Sequence, residues 1–339
     1  VTSVVGARTD PQQQHRALGA GVVQLSSEKR PEPGPIALLP GSQDVFAAAI
    51  RAGGGTVQGL SPATRGLVWL SYARPSELDE TLRANPQIQW VQLPWAGVDA
   101  FSDILKRHSR PRMVWTSGKG AFAQPVAEHA LALTLALLRV LPKRVRATSW
   151  NSAPEGISLY GRHVVVIGAG GITQELLRLL APFGARVTVI RRSTGSLPGA
   201  ARTLQSDQLH AVLPAADVVV LAAALTDDTR HLIGAEALSL MHSGSYLVNV
   251  ARGGLVDTDA LVAALAGGEI AGAGLDVTDP EPLPDGHPLW LEPRCLVTPH
   301  MADTPDMTAP LLAGRIRENV AAFLGDGRFV GVVDPALGY

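Results

Sequence analysis

Near the middle of this 339-residue chain the apolar run Val164-Val165-Val166-Ile167 passes without a break into Gly168-Ala169-Gly170-Gly171-Ile172-Thr173, and then into the helical stretch Gln174–Leu180. An unbroken apolar run ahead of a turn reads as a strand buried on both faces. Gly168 permits the tight turn, and Gly170 lets backbone approach a pyrophosphate, whose charge meets the start of the helix. A lone G-x-G is common in structural turns. Here strand, turn and helix stand in order, and a second strand, Val187–Ile190, follows, so the segment reads as a dinucleotide-binding turn with Gly168, Gly170, Gly171, Ile172 and Thr173 in contact. Thr173 stands where a third glycine usually allows close packing. Either its hydroxyl contacts a phosphate or the helix sits slightly further out.

The second strand carries its own information. It ends Val189-Ile190-Arg191-Arg192-Ser193, where an acidic residue normally accepts hydrogen bonds from the adenosine ribose. With Arg191 in that position, and Arg192 and Ser193 beside it, two guanidinium groups and a hydroxyl suit a 2′-phosphate. NADP(H) is expected to be preferred, with NAD(H) still usable.

The rest of the chain fits around that turn. At roughly 150 residues per domain the length predicts two domains. From Ile36 onward, apolar runs Ile36–Leu39, Gly66–Leu70 and Ile88–Leu93 alternate with helical spacing such as Asp44–Ala52. After a long helix, Val126–Val140, a second alternation places strands at Val164–Ile167, Val187–Ile190, Val218–Ala222, Tyr246–Val250 and Gly274–Val277. The expected fold is α/β: two Rossmann-like, doubly wound parallel-sheet domains. Residues 1–34, rich in Gln, Gly and Pro, read as an extension with no assigned chemistry. The last apolar helix, Leu311–Leu324, is free to pack back on the first domain. Leu131, Leu133, Leu135, Leu137 and Leu138 cover more than one face of the long helix, which predicts a homodimer; enclosure between the two domains of one chain is the plainer alternative.

Several classes are disfavoured. The net charge is -1 and the basic residues are scattered, so no nucleic-acid partner is expected. The single Cys295 excludes an intramolecular disulfide and fits a reducing compartment and a buried place. The longest apolar run, Ala130–Leu138, is far short of the roughly 18 residues of a spanning helix, and no signal segment opens the chain, so a cytoplasmic protein without membrane contact is expected. No metal site is expected.

From Gly66 to about Arg317 the chain resembles the D-isomer-specific 2-hydroxyacid dehydrogenases, in a short form like the glyoxylate/hydroxypyruvate reductases. The resemblance rests on Val248-Asn249-Val250-Ala251-Arg252-Gly253-Gly254-Leu255-Val256-Asp257, on Gly274-Leu275-Asp276-Val277 followed by Glu281-Pro282-Leu283, and on Thr298-Pro299-His300. Stretches like Trp95-Ala96-Gly97-Val98-Asp99 and Val126-Ala127-Glu128-His129 are also present, in order. The resemblance implies a substrate domain split into residues 35–120 and 303–339, with the dinucleotide-binding domain, 121–302, inserted between. It implies reduction of a small 2-oxo acid to the D-2-hydroxy acid. That reaction needs a cation for the carboxylate, a proton donor for the carbonyl oxygen and a hydride from a nicotinamide.

Arg252 suits the first task, because a guanidinium fork grips carboxylate with two parallel hydrogen bonds. His300 suits the second, with Glu281 raising its pKa and orienting the ring. By resemblance, Asp276 holds the nicotinamide carboxamide, Ala96 and Gly97 offer backbone to the substrate carboxylate, and Ala223, Ala224, Thr226 and Ala251 line the coenzyme. The family usually has proline where Ala224 stands, so that loop is expected to be looser. His129 reads as a residue that caps or packs on the long helix. Trp90, Trp115 and Trp290 read as core, whereas Trp95 and Trp150 are candidates to touch substrate, the latter across a dimer interface. Two other activities stay open: oxidation of formate or phosphite, and nucleotide sensing by a corepressor-like binding protein. The absence of a long tail weighs against the second, and Glu281 beside His300 against the first.

Overall fold

The computed structural model describes residues 21–150 and 152–336, so most of the expected N-terminal extension lies outside the described residues. The chain divides into two units, Val1–Phe122 with Thr304–Tyr339, and Ala123–Asp303.

In the first unit, β1 (Ile36–Leu39), β2 (Gly66–Trp69), β3 (Trp90–Gln92) and β4 (Val114–Thr116) form a parallel sheet in sequential order. Trp69, Trp90 and Trp115 are almost fully buried in it. The helix Pro305–Leu324 packs on the helix Asp44–Ala52. Their approach is close enough that a Cβ at Gly53 would lie 2.7 Å from both Arg317 O and Val320 Cβ, which is why glycine ends the earlier helix. A buried polar network ties the same C-terminal helix to the strand ends. Asn319 Nδ2 donates to Gln92 Oε1 at 2.8 Å, and Arg315 Nη1 donates to the carbonyls of Ser117 and Lys119 at 3.1 and 2.8 Å. Polar groups this deep are stable only when paired, so the network fixes the loops that follow β3 and β4.

The second unit is a seven-stranded, all-parallel sheet. Its strands are β5 (His163–Ile167), β6 (Arg186–Arg191), β7 (Arg202–Gln205), β8 (Val218–Leu221), β9 (Tyr246–Asn249), β10 (Gly272–Leu275) and β11 (Cys295–Val297). The spatial order is β11-β10-β9-β8-β5-β6-β7. The chain leaves β5 in one direction and returns on its other side at β8, so the strand order reverses between them, which in open α/β sheets marks the ligand crevice at the carboxyl ends. Apolar clusters cover both faces, and the long helix Ala123–Leu138 packs on the helix Gly171–Leu180. Cys295 is buried at the edge strand, where desolvation pushes its thiol up to about 12.

The structure differs from the sequence pattern in three places. Strands β4, β7 and β11 were not expected: two are only three residues long, and β7 is a polar edge strand without an apolar run. The long helix begins at Ala123 with Pro125 in its first turn, where a missing N–H costs nothing, and it stops at Leu138 because Val140 is left-handed at φ 55°. Trp290 is not core. It lies on the short helix Pro288–Leu291, which turns Leu289 inward instead, and it stays 38% exposed with its Nε1 donating to Pro284 O at 3.1 Å. Among the described residues no helix is long and apolar enough to cross a membrane.

Candidate active site

The candidate residues of the second unit all follow the carboxyl ends of its parallel strands. After β5 comes the glycine turn. Gly168 has φ 109°, and a Cβ there would collide with the Ala222 carbonyl in the loop after β8, so both conformation and contact require glycine. Gly170 differs. Its φ is -79°, and a Cβ would meet nothing within 4 Å. The protein's own packing therefore leaves room at Gly170, a cradle that a side chain would fill, beside a helix start that no side chain caps. These features fit a dinucleotide pyrophosphate lying over Gly170, Gly171 and Ile172.

The Thr173 hydroxyl does not face a phosphate. It is fully buried and donates to Gly168 O at 2.8 Å, closing the turn from inside. The 222–226 loop is closed by side-chain caps. Thr229 Oγ1 donates to Ala224 O at 2.9 Å and accepts from Thr226 N at 2.8 Å, so side-chain capping supplies the stiffness a proline would give. The Thr226 hydroxyl is itself 3.2 Å from Thr229 Oγ1.

Arg191 closes β6. Its Nη2 donates to Ser193 Oγ at 2.5 Å, while its buried Nε has no hydrogen-bond partner among the described residues. Arg192 and Ser193 are exposed. No carboxylate occurs in the sequence between Arg186 and Ser206.

Arg252 follows β9 and is half-buried, with Nη1 donating to Ala251 O at 2.7 Å. The buried Asn249 shapes this turn, accepting from Ala251 N at 3.0 Å and donating to Arg252 O at 2.9 Å. A Cβ on Gly253 would collide with the Thr278 carbonyl, so the Arg252 turn lies directly against the segment after β10.

That segment carries Asp276 and Glu281, and the segment after β11 carries His300. His300 Nδ1 and Glu281 Oε1 are 2.6 Å apart. The hydrogen bond to Glu281 raises the His300 pKa, against burial and the nearby Arg252, and the same bond holds the Glu281 carboxyl below its ordinary range. The imidazole is thus biased toward the cation, with Nδ1 held by Glu281. Asp276 is 2% exposed and faces protein. Its Oδ1 accepts from Thr298 Oγ1 at 2.7 Å and Met301 N at 2.9 Å, and its Oδ2 from Ala302 N at 3.1 Å. Burial pushes this carboxyl up, yet hydrogen bonds from His129, Thr298 and Met301 outweigh it and lower the pKa. The carboxamide role expected of Asp276 therefore has a competitor: it anchors the turn that bears His300.

In the first unit, the loop after β3 carries Trp95, Ala96 and Gly97. The Trp95 carbonyl accepts from Gly118 N at 2.9 Å, and its ring stands edge-on to Tyr72 and Phe122 while remaining 39% exposed. Trp150 is 97% exposed. The sequence motifs include Thr298 without giving it a role, and they do not reach Asp303. Desolvation raises the Asp303 carboxyl to about 6, near His300, His129 and Asp276. Its position three residues past a candidate catalytic histidine was the available signal.

Residues 130–302 match the family model described as D-isomer specific 2-hydroxyacid dehydrogenase, NAD binding domain. The chain is 38% identical over 257 residues to an uncharacterized protein of Corynebacterium melassecola, covering 74% of this chain and 84% of that one. It is 34% identical over 255 residues to the glyoxylate reductase of Pyrococcus furiosus, covering 72% and 75%. Among solved structures it is similar to a D-isomer specific 2-hydroxyacid dehydrogenase from Xanthobacter autotrophicus Py2 in complex with NADPH and MES, with TM-score 0.77, 29% identity, and coverage of 91% of this chain and all of that one. With its glycine turn, its His300–Glu281 pair and Arg252 at successive strand ends, the chain belongs to the D-isomer specific 2-hydroxyacid dehydrogenase family.

Proposed function

We propose that this protein reduces a small 2-oxo acid, glyoxylate among them, to the D-2-hydroxy acid, and that it prefers NADPH. The observation that carries the reading is the 2.6 Å pairing of His300 with Glu281, next to the half-buried Arg252. Arg252 binds the substrate carboxylate through its guanidinium fork. The nicotinamide, when bound, supplies the hydride. His300 Nε2 gives its proton to the carbonyl oxygen as that oxygen gains charge, and Glu281 steadies the cation beforehand. The neutral ring is reprotonated from solvent. In the oxidising direction the same nitrogen accepts the hydroxyl proton. Formate oxidation has no such proton to move, which favours the 2-oxo acid reading.

The coenzyme preference rests on Arg191 and Ser193 standing where an acidic residue would repel a 2′-phosphate, and on the buried Arg191 Nε as a donor still to be satisfied. A homodimer is part of the same reading. Ala132, Leu135 and Ala136 form an outward stripe of the long helix, continued past its end by Arg139, beside Leu141 at 44% and Val145 at 77% exposure. Apolar side chains this open beside a helical stripe are suited to burial against a second copy. Light scattering showing only a 35.5 kDa species would remove the dimer.

The main test is turnover with a panel of 2-oxo acids in wild type and His300→Ala. Loss of about two to four orders of magnitude in kcat, with NADPH affinity nearly unchanged, is expected for a lost general acid. Activity within a few-fold of wild type would sink the assignment.

A further inference from the structure

His129 has no part in the chemistry above, yet it is wired to it. It sits on the helix Ala123–Leu138, with Nε2 2.9 Å from Thr298 Oγ1 and 3.4 Å from Asp276 Oδ1. The direction of these bonds can be deduced. Thr298 has one hydroxyl proton, and its 2.7 Å contact with Asp276 Oδ1 uses it, because an ionised carboxylate only accepts. Thr298 Oγ1 must therefore accept from His129, and Nε2 carries a hydrogen.

The relay ends at His300 from two sides. The Asp276 carboxylate takes the N–H groups of Met301 and Ala302, immediately after His300, and the Asp276 carbonyl takes the N–H of His300 itself at 2.7 Å. His300 needs such restraint. Its φ is 53°, a left-handed conformation that a non-glycine residue holds only when its surroundings determine it.

We propose that His129 is a positioning residue for His300, acting through Thr298 and Asp276 to hold the turn that aims the His300 ring at Glu281. This inference rests on the reading of His300 as proton donor. Within the unit the charged and titratable groups around the turn are Glu281, Arg252, Asp276 and Asp303, and none of them replaces the His129 N–H as a donor to Thr298. A plain tie between helix and strand would affect melting alone, whereas a positioning residue must alter His300.

The test compares His129→Leu, which removes the donor, with His129→Gln, whose side-chain amide can restore an N–H at about the same reach. Thr298→Val breaks the relay from its middle and stands in if the Leu variant does not fold. The first readout is the His300 titration followed by NMR in coenzyme-free protein. A loosened His300–Glu281 bond should lower its midpoint by about half a pH unit or more in the Leu and Val variants, and by much less in Gln. The second readout is kinetic: kcat should fall roughly 10- to 100-fold in Leu and Val, as expected for misplacement on the order of 1 Å. KM for the oxo acid should stay within about threefold, and Gln should recover most of kcat. An unmoved His300 midpoint in a folded Leu or Val variant would overturn the proposal, as would equal loss in Gln and Leu. If His300→Ala keeps full activity, the proton-donor reading fails while the NMR shift still stands, so the two failures are distinguishable.

Discussion

Replacing Asp303 by Asn should stabilise the protein at neutral pH and do almost nothing at pH 4. Burial raises the Asp303 carboxyl to about 6, with the repulsive Asp276 assisting and His300 and His129 opposing. A carboxyl whose pKa is raised on folding binds its proton more tightly in the folded state. Stability is therefore complete below the unfolded value near 3.9, falls as pH rises toward 6, and stays reduced above. The gap of about two pH units corresponds to about 3 kcal/mol at roughly 1.4 kcal/mol for each tenfold change in proton affinity. Asp303 is only partly buried, and solvent screening reduces this to about 1.5 kcal/mol. Asn keeps the shape and hydrogen-bonding reach of Asp without the charge. At 2–4 °C per kcal/mol for a domain of about 150–250 residues, the variant should melt roughly 3–6 °C above wild type at pH 7.5. At pH 4 the gap should close to about 1 °C or less, because little of the charge remains to be removed. Scanning calorimetry at both pH values measures this directly. A gap of the same size at both, or none at pH 7.5, would refute the idea that burial of this carboxylate opposes folding.

Two further outcomes follow from the strand-end residues. Arg191→Asp should lower kcat/KM for NADPH by about 10- to 100-fold, the worth of one or two charge-assisted hydrogen bonds, and improve use of NADH; wild-type efficiency with NADH equal to that with NADPH would overturn the preference. Glu281→Gln removes the main cause of the raised His300 pKa, so the alkaline fall in reduction rate should move to lower pH. An unchanged pH profile would separate Glu281 from the proton step.

The parts of the fold legible in the sequence were those with long apolar runs. Val164-Val165-Val166-Ile167 is covered on both sides and has no polar alternation to confuse it with a half-buried strand, so β5 and the turn after it could be read directly. Edge strands lack that signature: β7 reads Arg-Thr-Leu-Gln, and it pairs on one side only. Arg252, Glu281 and His300 were named through family motifs, and the structure explains their proximity by the adjacency of β9, β10 and β11. The uses of Thr173, Asp276 and His129 were not legible. Each depends on which of several oxygens and N–H groups lies within about 3 Å, a fact of tertiary geometry that residue type and spacing do not encode. Trp290 failed for a similar reason, since a four-residue helix has no periodicity to tell its inner face from its outer one.

The sheet order also separates the two kinds of selectivity this protein needs. Arg191 ends β6 and His300 follows β11, and five strand steps lie between them in the order β11-β10-β9-β8-β5-β6. At about 4.8 Å per step their backbones are roughly 24 Å apart. That is beyond both the Debye length of about 8–10 Å in physiological salt and the 7–10 Å over which mutational effects usually couple. Recognition of the adenosine end and proton transfer at the substrate should therefore be independent. In a cycle of Arg191→Asp, Glu281→Gln and the double variant, the losses in log kcat/KM with NADPH should add to within about 0.5 kcal/mol. Arg191→Asp alone should leave the pH profile of kcat at saturating NADPH in place. A coupling well above 1 kcal/mol, or a pH profile that moves with Arg191, would mean that the two strand ends communicate through the sheet or the bound coenzyme, and that coenzyme preference cannot be altered here without disturbing the acid.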